Sequence, residues 1–370
     1  MAGRGESRRI GHGPSMRIVI TGASGNVGSA LLRRLGRDGH ELVGVARRPP
    51  ASEPPFDAVS RWSFLDLTRD GSVPRLVETF RGAEAVVHLA WGFQPTHDQR
   101  YLHELGVGGT RRVLEAAAAA GVPHLEHMSS IGAYSRRTDD RPVDESWPTQ
   151  GIASSPYSRH KVAAERLVDG FEREHPDTVV TRMRPGIIGQ RDAGSSLLRY
   201  ALPALVPARA LDWLPVLPLD KRLSLPMVHA DDVADAFARA LEARAAGAFN
   251  LAAPPALTVD DLATVLGARH VDVPAPVLRA LMSASWHLRL QQLDPGWLDM
   301  AYSVPVLDVG RAGRELGWSP RVDALSVLAE TVAGMRDRAT RPSPVLRGRS
   351  VAGELTRLVR RGPVSSRPKP

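Results

Sequence analysis

The sequence predicts an α/β protein, a doubly wound parallel sheet with a smaller C-terminal lobe. Three observations predict it. Short apolar runs alternate with stretches of helical apolar spacing from Met16 to Met183, the rhythm of βαβ units around a parallel sheet. A glycine triplet, Gly22, Gly25 and Gly28, falls between the first apolar run and the first helical stretch. The length of 370 residues, with 43% hydrophobic and 24% charged residues, is enough for one large folded domain with a lobe beside it.

Taken in order, Met16 opens the apolar strand Arg17-Ile18-Val19-Ile20, as a buried parallel strand reads. Ala30, Leu31, Leu32 and Leu35 follow at helical spacing, and Gly36 and Gly39 close that helix. Further strands are expected at Glu41–Ala46, Trp62–Leu65, Ala85–Ala90, Leu125–Ser129 and Val179–Met183. The helices between them are expected at Val73–Phe80, Gln99–Ala120 and Pro156–Glu174. Beyond Gly189 a proline-rich region loosens the pattern, which resumes with a strand at Leu223–Val228 and a helix at Asp231–Ala243. Pro274–Val306, with Trp286 and Trp297, reads as a small helical lobe, and Arg311–Arg338 as two closing helices split by Pro320. The expected organisation is a flexible arm over 1–15, a dinucleotide-binding domain over 16–190, a region over 191–340 that is mostly substrate lobe but returns elements to the first domain, and a basic flexible tail over 341–370.

Composition excludes several function classes. There is no cysteine, so disulfides, thiolate nucleophiles and cysteine-based metal sites are ruled out. No His, Asp and Glu residues stand at metal-ligand spacing. The net charge of +8 is carried by the ends: Arg4, Arg8 and Arg9 stand against Glu6, and from Arg341 eight basic residues stand against Glu354. The body between them is close to neutral, unlike a nucleic-acid-binding surface. The apolar stretch Tyr200–Asp220 is broken by prolines and charges and does not suit a bilayer span. A cytoplasmic protein is expected. Val351, Leu355, Leu358 and Val359 lie at amphipathic spacing among arginines, so the tail is read either as solvated or as a weak membrane or partner contact.

The glycine triplet gains its meaning from a strand before it and a helix after it. The first glycine allows the turn, the second lets backbone approach a pyrophosphate, and the third packs helix on strand. At the end of the second strand, where a carboxylate would bind the 2′-hydroxyl of NAD, stand Arg47-Arg48. Guanidinium pairs with phosphate in bidentate fashion, so NADP is expected, with NAD as the alternative. Asp66, at the end of the third strand, is placed either to receive an adenine amino group or to form a turn.

Tyr157 and Lys161 are four residues apart on one helical face. A phenol with pKa about 10 is a poor proton carrier near neutrality, and a neighbouring cation draws it down. Lys161 is one of three lysines in the chain, with Lys221 and Lys369. Ser155 and Pro156 read as N-cap and first helical residue. Ser130, after the strand Leu125–Ser129, is placed to hold a substrate oxygen, with Ser129 as the alternative. His229, Asp231 and Asp232 read as a helix cap ahead of catalysis, and His124 and His127 as structural.

Gly22-x-x-Gly25-x-x-Gly28, Asp66-Leu67, His88-Leu89-Ala90, Ser129-Ser130, Tyr157-x-x-x-Lys161, Arg184-Pro185-Gly186, Val228-His229-Ala230-Asp231-Asp232 and Leu316-Gly317-Trp318-x-Pro320 together resemble the extended short-chain dehydrogenase/reductase family, also called the NAD-dependent epimerase/dehydratase family. The resemblance implies a Rossmann domain with a small C-terminal substrate lobe. It implies Tyr157 as acid/base, Lys161 on the nicotinamide ribose and Ser130 on the reacting oxygen. It also implies Asn26 and Val27 near the pyrophosphate, Asp66 and Leu67 near adenine, Leu89 and Ala90 near ribose, and Arg47 on an NADP phosphate, with Pro185 also at the cofactor. Three departures stand out. Gly106 replaces the family's usual Asn. Ile131-Gly132 stands where sugar dehydratases carry Asp-Glu. Trp91 and Phe93 bring an aromatic wall to the nicotinamide end of the cleft.

The expected function is an NADP-favouring oxidoreductase moving hydride to or from a small carbonyl or alcohol carbon, working as a homodimer. A nucleotide-sugar epimerase with tightly bound NAD is the alternative within the fold. A non-catalytic dinucleotide sensor or scaffold is the alternative outside it.

Overall fold

The computed structural model describes residues 15–92, 97–201, 213–291 and 293–348, side chains excepted at 199–201. The N-terminal arm up to Pro14, Phe93 and the amphipathic positions Val351, Leu355, Leu358 and Val359 lie outside the described residues. In chain order the elements are β1 (Arg17–Thr21), α1 (Asn26–Leu35), β2 (Glu41–Ala46), β3 (Arg61–Phe64), α2 (Val73–Phe80), β4 (Ala85–His88), α3 (Gln99–His103), α4 (Gly109–Ala120), β5 (His124–Met128), α5 (Pro156–Glu174), β6 (Val179–Pro185) and β7 (Ile187–Gly189). The second half comprises α6 (Gly194–Ala201), β8 (Val216–Leu219), β9 (Ser224–His229), α7 (Ala230–Ala243), β10 (Gly247–Leu251), β11 (Ala253–Thr258), α8 (Val259–Leu266), β12 (Arg269–Asp272), α9 (Ala275–His287), α10 (Gly296–Ala301), α11 (Gly310–Leu316) and α12 (Ala324–Arg336).

Seven strands form one sheet in the order β10-β6-β5-β4-β1-β2-β3, and every pairing in it is parallel. The order reverses between β1 and β4, which opens a crevice at the carboxyl edge of those strands. Side chains alternate across the sheet. Ile18 and Ile20 enter one core with Leu31, Phe237 and Phe249, under α1 and α7. Val19 enters the other with Leu76, Phe80, Val113 and Phe171, under α2, α4 and α5. Both faces are therefore covered, the condition for a parallel sheet with continuous apolar strands. A three-stranded sheet, β11-β9-β7, and the pair β12-β8 build the lobe beyond it.

Three differences from the sequence reading have physical causes. The helix expected over Gln99–Ala120 is split into α3 and α4 by a π-helical turn at Glu104–Gly108, because Gly106 lies against the Trp91 indole: a Cβ at Gly106 would come within 3.0 Å of that ring. β10 was not expected, since Gly247-Ala-Phe-Asn-Leu is too short for periodicity to separate strand from turn. The tail expected from Arg341 onward packs against the body as far as residue 348. Leu346 is 1% exposed, Ala51 N donates to Pro342 O at 2.9 Å, and Ser343 Oγ donates to Ser24 O at 2.8 Å.

A buried ion pair fixes α5 to the sheet. From β6, Arg184 Nη2 lies 2.7 Å from Glu165 Oε2, both side chains nearly inaccessible, and Nε donates to Oε1 at 2.9 Å. Arg184 Nη1 donates to Tyr134 Oη at 3.1 Å, and that hydroxyl donates to Asn250 Oδ1 at 2.6 Å. Such a pair contributes little net stability over an apolar packing, yet breaking it strands a charge. Arg184→Met should therefore lower the unfolding free energy by about 3–5 kcal/mol in a denaturant titration; a loss below ~1 kcal/mol would contradict this frame.

Candidate active site

The crevice begins at the glycine turn. Gly22 has φ +73°, a conformation that side chains disfavour, and a Cβ there would stand 2.7 Å from Ala90 N. A Cβ at Gly28 would stand 2.4 Å from Gly22 O, so turn and helix close directly on each other. Gly25 differs. A Cβ there would meet Gly22 O at 3.1 Å and nothing else within 4 Å beyond its chain neighbours, so this glycine faces open space. α1 starts at Gly25 with no side-chain cap and no acid in its first turn, which leaves its first N–H groups and its dipole to an anion. The cradle thus fits a dinucleotide pyrophosphate by its own geometry.

The remaining residues expected near the cofactor distribute around this turn. Asn26 is held from the side by Gln190, whose Nε2 donates to Asn26 O at 2.9 Å. Val27 faces the core. Leu89 N donates to Thr21 O at 3.0 Å, which keeps Leu89 and Ala90 across the turn from Gly22, both partly exposed. Pro185 is buried at the end of β6. At the outer end of the sheet, Asp66 accepts hydrogen bonds through Oδ1 from Thr68 N at 3.0 Å and Thr68 Oγ1 at 2.7 Å, so it forms the turn. Leu67 is buried, and its carbonyl accepts from Arg112 Nη1 at 3.0 Å. Arg47 Nη1 donates to Tyr101 Oη at 2.8 Å. Tyr101 escaped the sequence reading, because nothing in its spacing connects α3 to the end of β2.

Ser130, Tyr157 and Lys161 come together at the carboxyl end of β5. Ser155 caps α5 by accepting from Ser158 N, and Pro156 is in the first turn, which puts Tyr157 at the helix's mouth. Ser130, 7% exposed, stands close enough to the Tyr157 phenol to act on its titration and accepts from Gly132 N at 3.0 Å. Ser129 is turned the other way and donates to Glu165, so of the two serines Ser130 faces the phenol. A Cβ at Gly132 would stand 3.0 Å from Tyr157 Cε1 and 3.2 Å from Met300 Sδ, so a side chain here would press on the phenol ring.

Lys161 is 2% exposed. Its Nζ donates to Met128 O at 2.9 Å and sits 3.5 Å from the centre of a Trp91 ring, a cation–π contact. Burial pulls the ammonium down to about 7, with the Glu165 charge opposing the fall. Nζ lies 5.9 Å from the centre of the Tyr157 ring. In the chain alone Lys161 does not draw the phenol down, contrary to the expectation from spacing. Burial pushes Tyr157 up to about 12 against the opposing effect of Ser130, because the desolvation of the phenolate outweighs a cation that is itself desolvated. Trp91 meets Tyr157 edge-on, with ring centres 6.2 Å apart, and Trp297 from α10 lies at 4.9 Å. The sequence reading placed Trp297 in the lobe without linking it to Tyr157. It also left Gly106 unexplained, and the Trp91 indole packs where a side chain would stand.

The other conspicuous residues are structural. His229 Nδ1 accepts from Asp231 N at 3.1 Å as the cap of α7, and Asp232 accepts from Arg321 N and Val322 N. His124 bonds Thr181 Oγ1 at 2.9 Å, and burial lowers it to about 4. His127 is buried beneath Lys161 and held well below the usual range by burial, with His88 and Lys161 adding to the effect. Among the described residues, no group of three acidic or histidine side chains could hold a metal, and no helix is long and apolar enough to cross a membrane.

A seven-stranded parallel sheet with a glycine turn at its reversal defines a Rossmann-type dinucleotide-binding protein. Residues 18–252 match the family model described as the NAD dependent epimerase/dehydratase family. The chain belongs to that family, one of NAD(P)-dependent enzymes. It is 28% identical over 326 residues to the uncharacterized protein Rv2047c of Mycobacterium tuberculosis, covering 87% of this chain but 30% of that protein; the chain spans less than a third of that relative. It is 26% identical to a UDP-glucose 4-epimerase of Mycolicibacterium smegmatis, covering 88% of this chain and all of the relative. It is 27% identical to a dTDP-6-deoxy-L-talose 4-dehydrogenase (NAD(P)(+)) of Kitasatospora kifunensis, covering 84% and 92%. The crystal structure of gox2253 superposes with a TM-score of 0.68 at 24% identity, covering 87% of this chain and 98% of the other, which supports the shared fold.

The burial of Lys161 has a consequence for stability. A lysine whose folded pKa lies below its unfolded value penalises folding most where both states are protonated, and the penalty shrinks as pH rises between the two values. Lys161→Met should raise the melting temperature most below about pH 7, and the gain should close toward pH 10 in a pH series of thermal melts. A gain independent of pH would contradict the buried ammonium.

Proposed function

We propose that the chain is an oxidoreductase that uses NADP in preference to NAD and acts on a carbonyl or alcohol carbon held between Ser130 and Tyr157. The placement of Ser130 beside the Tyr157 phenol, at the edge of the glycine crevice, carries the reading. Gly22, Gly25, Gly28 and the first turn of α1 would hold the pyrophosphate, and Arg47 a phosphate on the adenine ribose. Bound there, a nicotinamide dinucleotide supplies or accepts a hydride.

The chain's own residues do the rest. With its pKa pushed up to about 12, Tyr157 stays protonated through the neutral range and is ready to donate its proton to a carbonyl oxygen. Proton donation to that oxygen is the step that carbonyl reduction requires. Ser130 accepts from Gly132 N, which orients its hydroxyl for the same oxygen. A phenolate left beside Lys161 favours its protonated form, so the ammonium, lowered to about 7 by burial, regains its charge as Tyr157 gives up its proton. Trp91 and Trp297 flank the phenol and leave it an apolar surround that suits a substrate of modest size.

A second reading, a nucleotide-sugar epimerase with tightly held NAD, is supported by the match to the M. smegmatis epimerase over that protein's whole length. The two part on cofactor retention: protein purified with NAD bound favours the epimerase, and release of NADP(H) between turnovers favours the reductase.

Tyr157→Phe should cut turnover by at least about a hundredfold, the range general acid catalysis supplies, while dinucleotide affinity by fluorescence titration stays nearly unchanged. Turnover equal to the parent's would overturn the assignment.

A further inference from the structure

Residues 339–348 return from α12 across the cofactor face of the first domain. The segment is tied down at each step. Ala339 O accepts from Ser195 N at 3.1 Å, and Arg341 pairs with Asp192 at 2.6 Å. Pro342 O accepts from Ala51 N at 2.9 Å, beyond the end of β2. Ser343, 4% exposed, donates to Ser24 O at 2.8 Å, inside the glycine turn itself. The strap closes on its own hydroxyl: Leu346 N donates to Ser343 Oγ at 3.2 Å, and Leu346 is 1% exposed. The next residue is Arg347, which is exposed.

This route bridges the two elements that border a ribose phosphate. The glycine turn and the end of β2 are neighbours, since Gly22 N donates to Val45 O at 2.9 Å, and the strap touches both. Arg47 and Arg48 project from the β2 end. Arg48 Nη2 is buried without a hydrogen-bond partner among the described residues. The charges that act most on Arg48 include two arginines, Arg47 and Arg347, which add to burial in lowering its pKa. No carboxylate is among those influences. Two like charges beside a guanidinium with one nitrogen buried and unpaired are unfavourable in the protein alone, and a dianionic phosphate monoester is the ligand chemistry that reverses the sign.

We propose that the strap completes the binding site for a phosphate on the adenine ribose, with Arg347 as a third cation beside Arg47 and Arg48 and with Ser343 latching the strap to the glycine turn. The inference rests on the NADP reading above and adds to it a determinant from the far end of the chain. A dinucleotide without the extra phosphate would leave the three arginines facing one another, so the strap acts on cofactor choice more than on affinity for the shared parts.

The test is isothermal titration calorimetry of the full chain with adenosine 2′,5′-bisphosphate and with adenosine 5′-monophosphate, probes that bind without turnover. The parent should bind the bisphosphate at least about tenfold more tightly, and added salt should erode that difference. Arg347→Ala, at an exposed position, should weaken the bisphosphate roughly tenfold and leave the monophosphate nearly unchanged. Ser343→Ala should weaken the bisphosphate in the same selective way by freeing the strap. If the parent does not distinguish the two nucleotides, the NADP reading fails and this site with it. If the parent prefers the bisphosphate and Arg47→Ala removes that preference while Arg347→Ala does not, the strap proposal alone is overturned. Equal weakening of both nucleotides by Arg347→Ala would also overturn it, since that marks a packing role.

Discussion

The arrangement depends on the burial of one ammonium group. Lys161 Nζ is enclosed by the Met128 carbonyl at 2.9 Å and the Trp91 ring at 3.5 Å, and desolvation lowers its pKa to about 7. A charge placed there has to be supported from outside the site. The Arg184–Glu165 pair supplies the support: Glu165 follows Lys161 by one helical turn on α5, opposes the fall in its pKa, and is itself anchored to β6 by Arg184. The helix that carries Tyr157 and Lys161 is thereby fixed at the depth where the ammonium lies beside the phenol.

Glycines at selected points make that pocket possible. Gly106 admits the Trp91 indole, and Gly132 admits the Tyr157 ring, each with a hypothetical Cβ at 3.0 Å from the ring it accommodates. The π-helical turn at Glu104–Gly108 holds Gly106 at the first of these contacts, and such turns commonly mark functional sites. Burial that lowers Lys161 also raises Tyr157, so in the protein alone both groups are held toward their neutral forms.

The fold was legible in the sequence wherever local pattern and tertiary role agree. α2 and α5 begin and end at the residues read from spacing, because Pro156 and Ser155 act through local geometry. The glycine turn was equally readable, since the strand before it and the helix after it are both contiguous in sequence. What escaped was set by distant partners. Nothing near Tyr101 announces Arg47, nothing near Trp297 announces Tyr157, and the choice between Ser129 and Ser130 is made by Glu165 on another element. Spacing likewise shows that a cation is near Tyr157, but not how thoroughly desolvation acts on both groups in the chain alone. Arg341–Gly348 read as flexible tail because its composition is polar, while its packing rests on the buried Leu346 and Ser343 and on the ties of Arg341 and Pro342 to distant residues.

The most direct measurement is the titration of Lys161 itself. With three lysines in the chain, isotope-labelled lysine gives few signals in a magnetic-resonance titration, and loss of one signal in Lys161→Met assigns it. A midpoint near 7 for that signal is the result expected of an ammonium enclosed by a carbonyl and an indole. A midpoint at the ordinary value near 10.5 would mean that water reaches the group, and the account of the site as a phenol beside a buried ammonium would be wrong.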